Sequence, residues 1–303
     1  MTEQYPIGQT GEPWQAAEKQ QWLARQTKKR DYCEDIVPKI DALKAHYQVA
    51  QYGVLNYENQ YPLYALKSAK WHTDLPVVLV TGGVHGYETS GVLGALAFAR
   101  KHADTFEGQF NLLILPCISP WGYETINRWN PEAVDPNRSF YLDSPAQESQ
   151  LAMDYVNQYQ ASIALHIDLH ETTDTDNSEF RPALAARDGK VNHNWNIPDG
   201  FYLVGHTQKP EAAFQQAIIH AVQQVTHIAE ADEHNALIGV PVEQLGVINY
   251  DATELGLCMG MTQAPYVTTT EVYPDSPSTT PQNCIDGQVA AIEGAIAYLA
   301  AQK

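Results

Sequence analysis

The sequence predicts an α/β fold whose mainly parallel or mixed sheet is covered on both faces. Three observations carry this. Residues 75–81 (LPVVLVT) and 110–116 (FNLLILP) are continuous apolar runs, the pattern of strands buried on both sides. Between them, TSGVLGALAFARKHA from Thr89 reads as a helix. Strands then alternate with helices to the end of the chain, without internal repeat or abrupt change of composition.

The elements follow in order. Residues up to about 46 are polar and charged, with helical character over 14–29. Residues 47–57 and 61–67 alternate like the arms of a hairpin. After the two buried strands, residues 117–145 show no regular period and are rich in Pro, Asn, Arg and Trp; a loop of that length is often functional. A helix is expected over 146–160, a strand over 162–169, a short strand over 201–205 and a helix over 211–230. Strands at 247–250 and 266–272 and a helix over 285–301 complete the chain.

The 303 residues suffice for a full hydrophobic core. A net charge of −18 repels phosphate backbones, so no nucleic-acid partner is expected. No uninterrupted apolar run approaches the roughly 18 residues of a membrane span, and no membrane partner is expected. The opening residues MTEQYPIGQTGEPW lack a basic start followed by an apolar stretch. The four cysteines, Cys33, Cys117, Cys258 and Cys284, have no C-x-x-C spacing, so reduced thiols and a cytoplasmic location are expected.

Gly82-Gly83-Val84-His85-Gly86-Tyr87-Glu88 places a His and a Glu three apart, where a buried strand ends and a helix begins. Open α/β sheets put their sites at that edge. Imidazole and carboxylate suit zinc, which in catalytic sites takes three protein ligands and water. His227 and Glu230 repeat the spacing, with His234 a turn further. That trio would share a helix face, but the context HIAEADEH reads as a solvated helix end. The third ligand is expected at His170, at the end of a strand. His166 shares its face by period-two alternation but lies deeper in the sheet, where a buried, hydrogen-bonded histidine is the simpler reading. Asp168, between them, could orient a ligand or equally satisfy a backbone donor.

The irregular loop carries Arg128, Asn130, Asp135, Asn137 and Arg138. Arginine is the side chain of choice for a carboxylate and can stabilise an oxyanion; the alternative is pairing with local acids such as Asp135. Late in the chain, Glu271 follows a β-type run, and a zinc hydrolase needs a base. Glu171 is the second candidate for that role.

This order of motifs, His-x-x-Glu, Arg-x-Asn-x4-Asp-x-Asn-Arg, a strand-end His and a late Glu, resembles the carboxypeptidase A family of zinc metallopeptidases over about residues 75–273. The resemblance implies a three-layer α/β/α sandwich with a mixed, largely parallel sheet. The catalytic domain would cover 47–303 behind a helical N-terminal extension, 1–46. His85, Glu88 and His170 would hold one Zn2+ per chain. Arg128 would polarise the scissile carbonyl, Asn137 and Arg138 would bind the terminal carboxylate, Tyr250 would lie over the substrate and Glu271 would be the general base. The implied activity is hydrolysis of the C-terminal amide bond of a peptide by zinc-activated water. Leu257, seven residues after Tyr250, would sit at the base of the side-chain pocket and favour an apolar residue; Glu254 would favour a basic one.

His85-Gly86-Tyr87-Glu88-Thr89-Ser90-Gly91 and Asp168-Leu169-His170-Glu171-Thr172-Thr173 are also similar to aspartoacylase and succinylglutamate desuccinylase. Those enzymes cut an acyl group from an amino acid with the same chemistry. The ten-residue spacing of Arg128 and Arg138, and the 32 residues after Glu271, favour the peptidase branch. A deacylase would need a further cation for its acyl group, and Arg181 and Arg187 are the nearest by sequence.

Overall fold

The computed structural model describes residues 5–302. Residues 1–4, the start of the opening stretch without a basic and apolar pattern, and Lys303 lie outside the described residues. The chain enters through three short helices, α1 (Ala16–Leu23), α2 (Tyr32–Asp35) and α3 (Val37–Asp41), and a hairpin, β1 (Tyr47–Asn56) and β2 (Gln60–Ser68). Then come β3 (Val77–Gly82), α4 (Thr89–Lys101), β4 (Asn111–Leu115), α5 (Pro120–Thr125), α6 (Gln147–Val156), β5 (Ile163–Glu171) and α7 (Arg181–Asp188). The last part holds β6 (Tyr202–His206), α8 (Ala212–Val222), a two-residue pair β7 (Ala236–Leu237) and β8 (Val240–Pro241), β9 (Val247–Tyr250), β10 (Tyr266–Val272) and α9 (Pro281–Ala301).

Eight of these strands form one sheet in the order β1-β2-β4-β3-β5-β10-β6-β9. Its centre, β4-β3-β5-β10, is parallel, and β2 and β6 join it antiparallel. The expected mixed, largely parallel sheet is therefore the one observed. Strand alternation sorts the core. Val78, Val80, Leu112, Ile114, Leu165 and Ile167 enter one apolar cluster, and Val77, Leu79, Leu113 and Leu115 enter another. Both faces are thus buried, which is why these strands read as continuous apolar runs. On β5 the face opposite Leu165, Ile167 and Leu169 carries His166, Asp168 and His170 instead.

Four elements differ from expectation. The helix expected over 211–230 ends at Val222. Beyond it, Ile228 bridges to Phe201 and the Phe201 N–H donates to the His227 carbonyl at 3.0 Å, so this stretch serves the sheet edge rather than the helix. His227, Glu230 and His234 therefore share no helix face; His227 faces Asp199 at 3.0 Å on the surface. The helix expected over 14–29 is confined to α1, which opens on a capping box between Gln15 and Glu18. The irregular loop contains α5 and a single 3-10 turn at Pro136–Arg138. Finally, α7 lies in a stretch where no helix is expected, because residues 171–196 are polar on average and of RPALAARD only Ala183 is buried.

The N-terminal segment is not a loose appendage. Trp14 and Trp22 are buried, and their rings lie 6.0 and 5.5 Å from that of Trp129, the neighbour of Arg128. The Trp14 N–H donates to the Arg187 carbonyl at 2.8 Å. The segment thereby braces both the arginine-bearing loop and α7. By length and composition α9 could cross a membrane, but 61% of its apolar window is buried in the fold, where it packs on α4 and α8.

Candidate active site

The C-terminal ends of β3, β5 and β10 lie side by side, and the site is built on that edge. After β3 the chain turns at Gly83, whose φ of +60° favours glycine. It then passes so close to the loop before α5 that a side chain at Gly86 would run into the Ser119 carbonyl and the Tyr123 amide. This puts His85 and Glu88 just ahead of α4, facing His170 near the end of β5.

His85, Glu88 and His170 are all buried, and their ligand atoms lie within 4.8 Å of one another. Glu88 Oε1 is 2.8 Å from His85 Nδ1, and Glu88 Oε2 is 2.7 Å from His170 Nδ1. Each imidazole gives its other nitrogen to a carboxylate: His85 Nε2 to Asp135 at 2.9 Å, His170 Nε2 to Asp168 at 2.7 Å. That outer pairing fixes ring orientation and leaves both Nδ1 lone pairs facing the glutamate, as in metal centres. The donor set therefore fits a metal ion.

His166 stays in the sheet. It is fully buried and meets Thr81 Oγ1 at 3.0 Å, while Thr81 donates to Asp168 at 2.7 Å. Burial pulls the imidazole down to about 4, with Asp168 opposing. The folded protein binds this proton less readily than the unfolded chain, so its stability falls as pH drops from about 6.5 to 4. The loss is about 3 kcal/mol when the shift is converted. Chemical denaturation at several pH values should show a smaller acid-side loss for His166→Gln than for wild type; equal losses would refute this.

Glu271 pairs in register with His170 across β10 and β5, so both side chains share a face. Burial pushes its carboxyl up to about 8; His170 opposes and Glu88 adds to the shift. Glu171, the second candidate base, is committed elsewhere. Its two oxygens accept the Thr89 and Ser90 N–H groups at 3.1 and 2.7 Å, capping the start of α4.

A cleft of about 450 Å³ opens beside these groups, and Arg128, Asn137, Arg138, Tyr250, Leu257 and Glu271 all line it. Arg128 donates from Nε to Asp135 at 3.0 Å and lies 3.6 Å from Asp176, so it both faces the cleft and pairs locally. Although burial works against it, Arg128 and then His85 hold Asp135 well below the usual carboxylate range. Asn137 accepts the Cys258 N–H at 2.8 Å, tying the 257–259 turn to the site. Leu257 faces the cleft, whereas Glu254 is exposed and is not among its lining residues.

Sequence reasoning did not place Thr172, Asp176 or Tyr202 in this cleft, and it named Arg181 and Arg187 only by proximity. Four of the seven arginines, Arg128, Arg138, Arg181 and Arg187, line it. Arg187 pairs with Asp188 at 2.8 Å. Arg138 and Arg181 form no ion pair among the described residues. Arg138 donates to the Asn137 carbonyl, and Arg181 to Asn177 and the Asn196 carbonyl.

Comparison with solved structures places the fold. A Shewanella denitrificans protein provisionally assigned as a metallopeptidase matches with 20% identity and a TM-score of 0.66, over 99% of each chain. A second such protein, from Shewanella amazonensis, matches at 19% and 0.65, over 88% of this chain and 92% of its own. A Pseudomonas aeruginosa metallo-carboxypeptidase, solved with (2-guanidinoethylmercapto)succinic acid, matches at 15% and 0.60, over 88% of this chain and 69% of its own. These likenesses establish the carboxypeptidase-like fold. A search of curated proteins finds no match. The profile of the succinylglutamate desuccinylase/aspartoacylase catalytic domain matches residues 74–240, which hold all three clustered donors and all four cleft arginines. The chain belongs to the succinylglutamate desuccinylase/aspartoacylase catalytic-domain family, on a carboxypeptidase-like fold.

Proposed function

We propose that the protein is a zinc-dependent hydrolase that releases the C-terminal residue of a peptide by cleaving the amide bond before it. One observation carries the reading: two histidines, each anchored by a carboxylate, present Nδ1 to a shared glutamate within reach of Glu271 and an arginine-lined cleft. His85, Glu88 and His170 would hold zinc, which when bound supplies a Lewis acid and activates water. Glu271 takes the proton from water and returns it to the leaving amine. Arg138, free of a carboxylate partner, clamps the substrate's terminal carboxylate. Arg128 faces the carbonyl oxygen, held in place by Asp135. Leu257 and Val204 give part of the cleft an apolar lining, which suits an apolar terminal side chain.

A second reading, an N-acyl amino acid deacylase, is supported by Arg181. It is a second cleft arginine without an ion pair, available for a carboxylate on the acyl side. The deciding experiment incubates zinc-loaded protein with mixed peptides, N-acetylaspartate and N-succinylglutamate and identifies products by mass spectrometry. Release of C-terminal residues is expected. Cleavage of either acyl amino acid with every peptide intact would replace the peptidase reading by the deacylase.

A further inference from the structure

We propose that Thr172, itself oriented by Tyr202, is the positioning residue of the base. This rests on the reading of Glu271 as general base. Thr172 Oγ1 donates to Glu271 Oε2 at 2.9 Å, and among the described residues it is the only hydrogen-bond donor to that carboxylate. The Tyr202 hydroxyl lies 2.7 Å from the same threonine oxygen.

The direction of these bonds follows from chemistry. An ionised carboxylate only accepts, so the single Thr172 hydroxyl proton points to Glu271. The Tyr202 hydroxyl must then donate to Thr172. Tyr202 and Thr172 are buried at 1% and 6% exposure, so neither hydroxyl has bulk water as an easy substitute.

The backbone supports the relay. The Thr172 N–H donates to the Val272 carbonyl at 2.9 Å, continuing the β5–β10 ladder one step past β5. By alternation Thr172 shares a face with His170, and register puts Glu271 on that face too. One carboxylate oxygen is therefore pinned, and no hydrogen bond among the described residues reaches Oε1, which leaves it for the reacting water in the cleft that Glu271 lines. A glutamate has three rotatable bonds, and a base must sit within hydrogen-bond reach of the proton it takes. Without the threonine, burial favours either a neutral carboxyl or a rotamer that reaches solvent.

The test uses full-length, zinc-loaded protein and whichever of an N-acyl dipeptide and N-acetylaspartate the wild type turns over. Metal content and the crystal structure of each variant provide readouts independent of turnover. Thr172→Val should keep one zinc per chain, leave KM nearly unchanged and lower kcat about tenfold to a hundredfold, the value of a hydrogen bond to a charged group. Its crystal structure should show the Glu271 carboxylate in a new rotamer. Thr172→Ser should restore most of kcat. Tyr202→Phe, which keeps the ring and its packing, should give a smaller fall in kcat and serves if the valine variant does not fold. In a Glu271→Gln background, Thr172→Val should cost nothing further. Wild-type kcat and an unmoved Glu271 in Thr172→Val, beside an inactive Glu271→Gln, would overturn the relay while sparing the base. An additional loss in the Glu271→Gln background would also overturn it, by showing that Thr172 acts on something else. Wild-type kcat in Glu271→Gln itself would reject the reading on which the relay stands.

Discussion

Replacing His85 by Ala is expected to abolish metal binding and catalysis together. The imidazole contributes one of three donors, and its loss leaves Glu88 and His170 with too few ligands for a catalytic site. It also strips Asp135 of a partner, leaving that buried carboxylate to Arg128 and the Asn137 N–H. Glu88→Ala should behave in the same way, since Glu88 faces both imidazoles. Asp135→Asn offers the graded case: the ligand remains but its orientation loosens, which typically weakens metal binding about tenfold to a hundredfold. Elemental analysis after dialysis decides. About one zinc per chain in His85→Ala would remove this residue from the metal centre.

The second large effect is at Glu271. Glu271→Gln keeps the shape of the side chain and should keep the metal, but it cannot accept a proton. A fall in kcat of about a thousandfold is expected, within the range for a positioned general base. Because the base acts as a carboxylate, activity should rise with pH along the acid limb. Burial pushes this carboxyl up to about 8. A bound dication pulls it down, so the acid limb of the zinc enzyme should lie below that value. A glutamine variant with wild-type kcat on any active substrate would place the base elsewhere.

Much of the site was legible because it is written into strand ends. His85 and Glu88 follow a buried strand and two glycines, and His170 is near the end of another. Period-two alternation alone puts His166, Asp168 and His170 on one face, and the depth of His166 in the sheet marks it as structural. Glu271 is different: its place beside His170 depends on β10 lying next to β5, a pairing across about a hundred residues that no local pattern encodes. Thr172 was hidden for the same reason, although its parity with His170 was available.

What the sequence by itself determined is the α/β architecture and three side chains, His85, Glu88 and His170, that the fold brings together, because apolar periodicity and glycine turns are local physical signals. Only the tertiary structure decided how the cleft is furnished. It showed that Asp135 and Asp168 hold the two imidazoles and that Glu171 caps α4 rather than serving as a free base. It showed that a polar stretch folds as α7 and brings Arg181 and Arg187 to the cleft. The N-terminal tryptophans reach the same region, bracing Trp129 and the Arg187 carbonyl. These are contacts between segments far apart in the chain, where burial and charge pairing override what each segment would do alone.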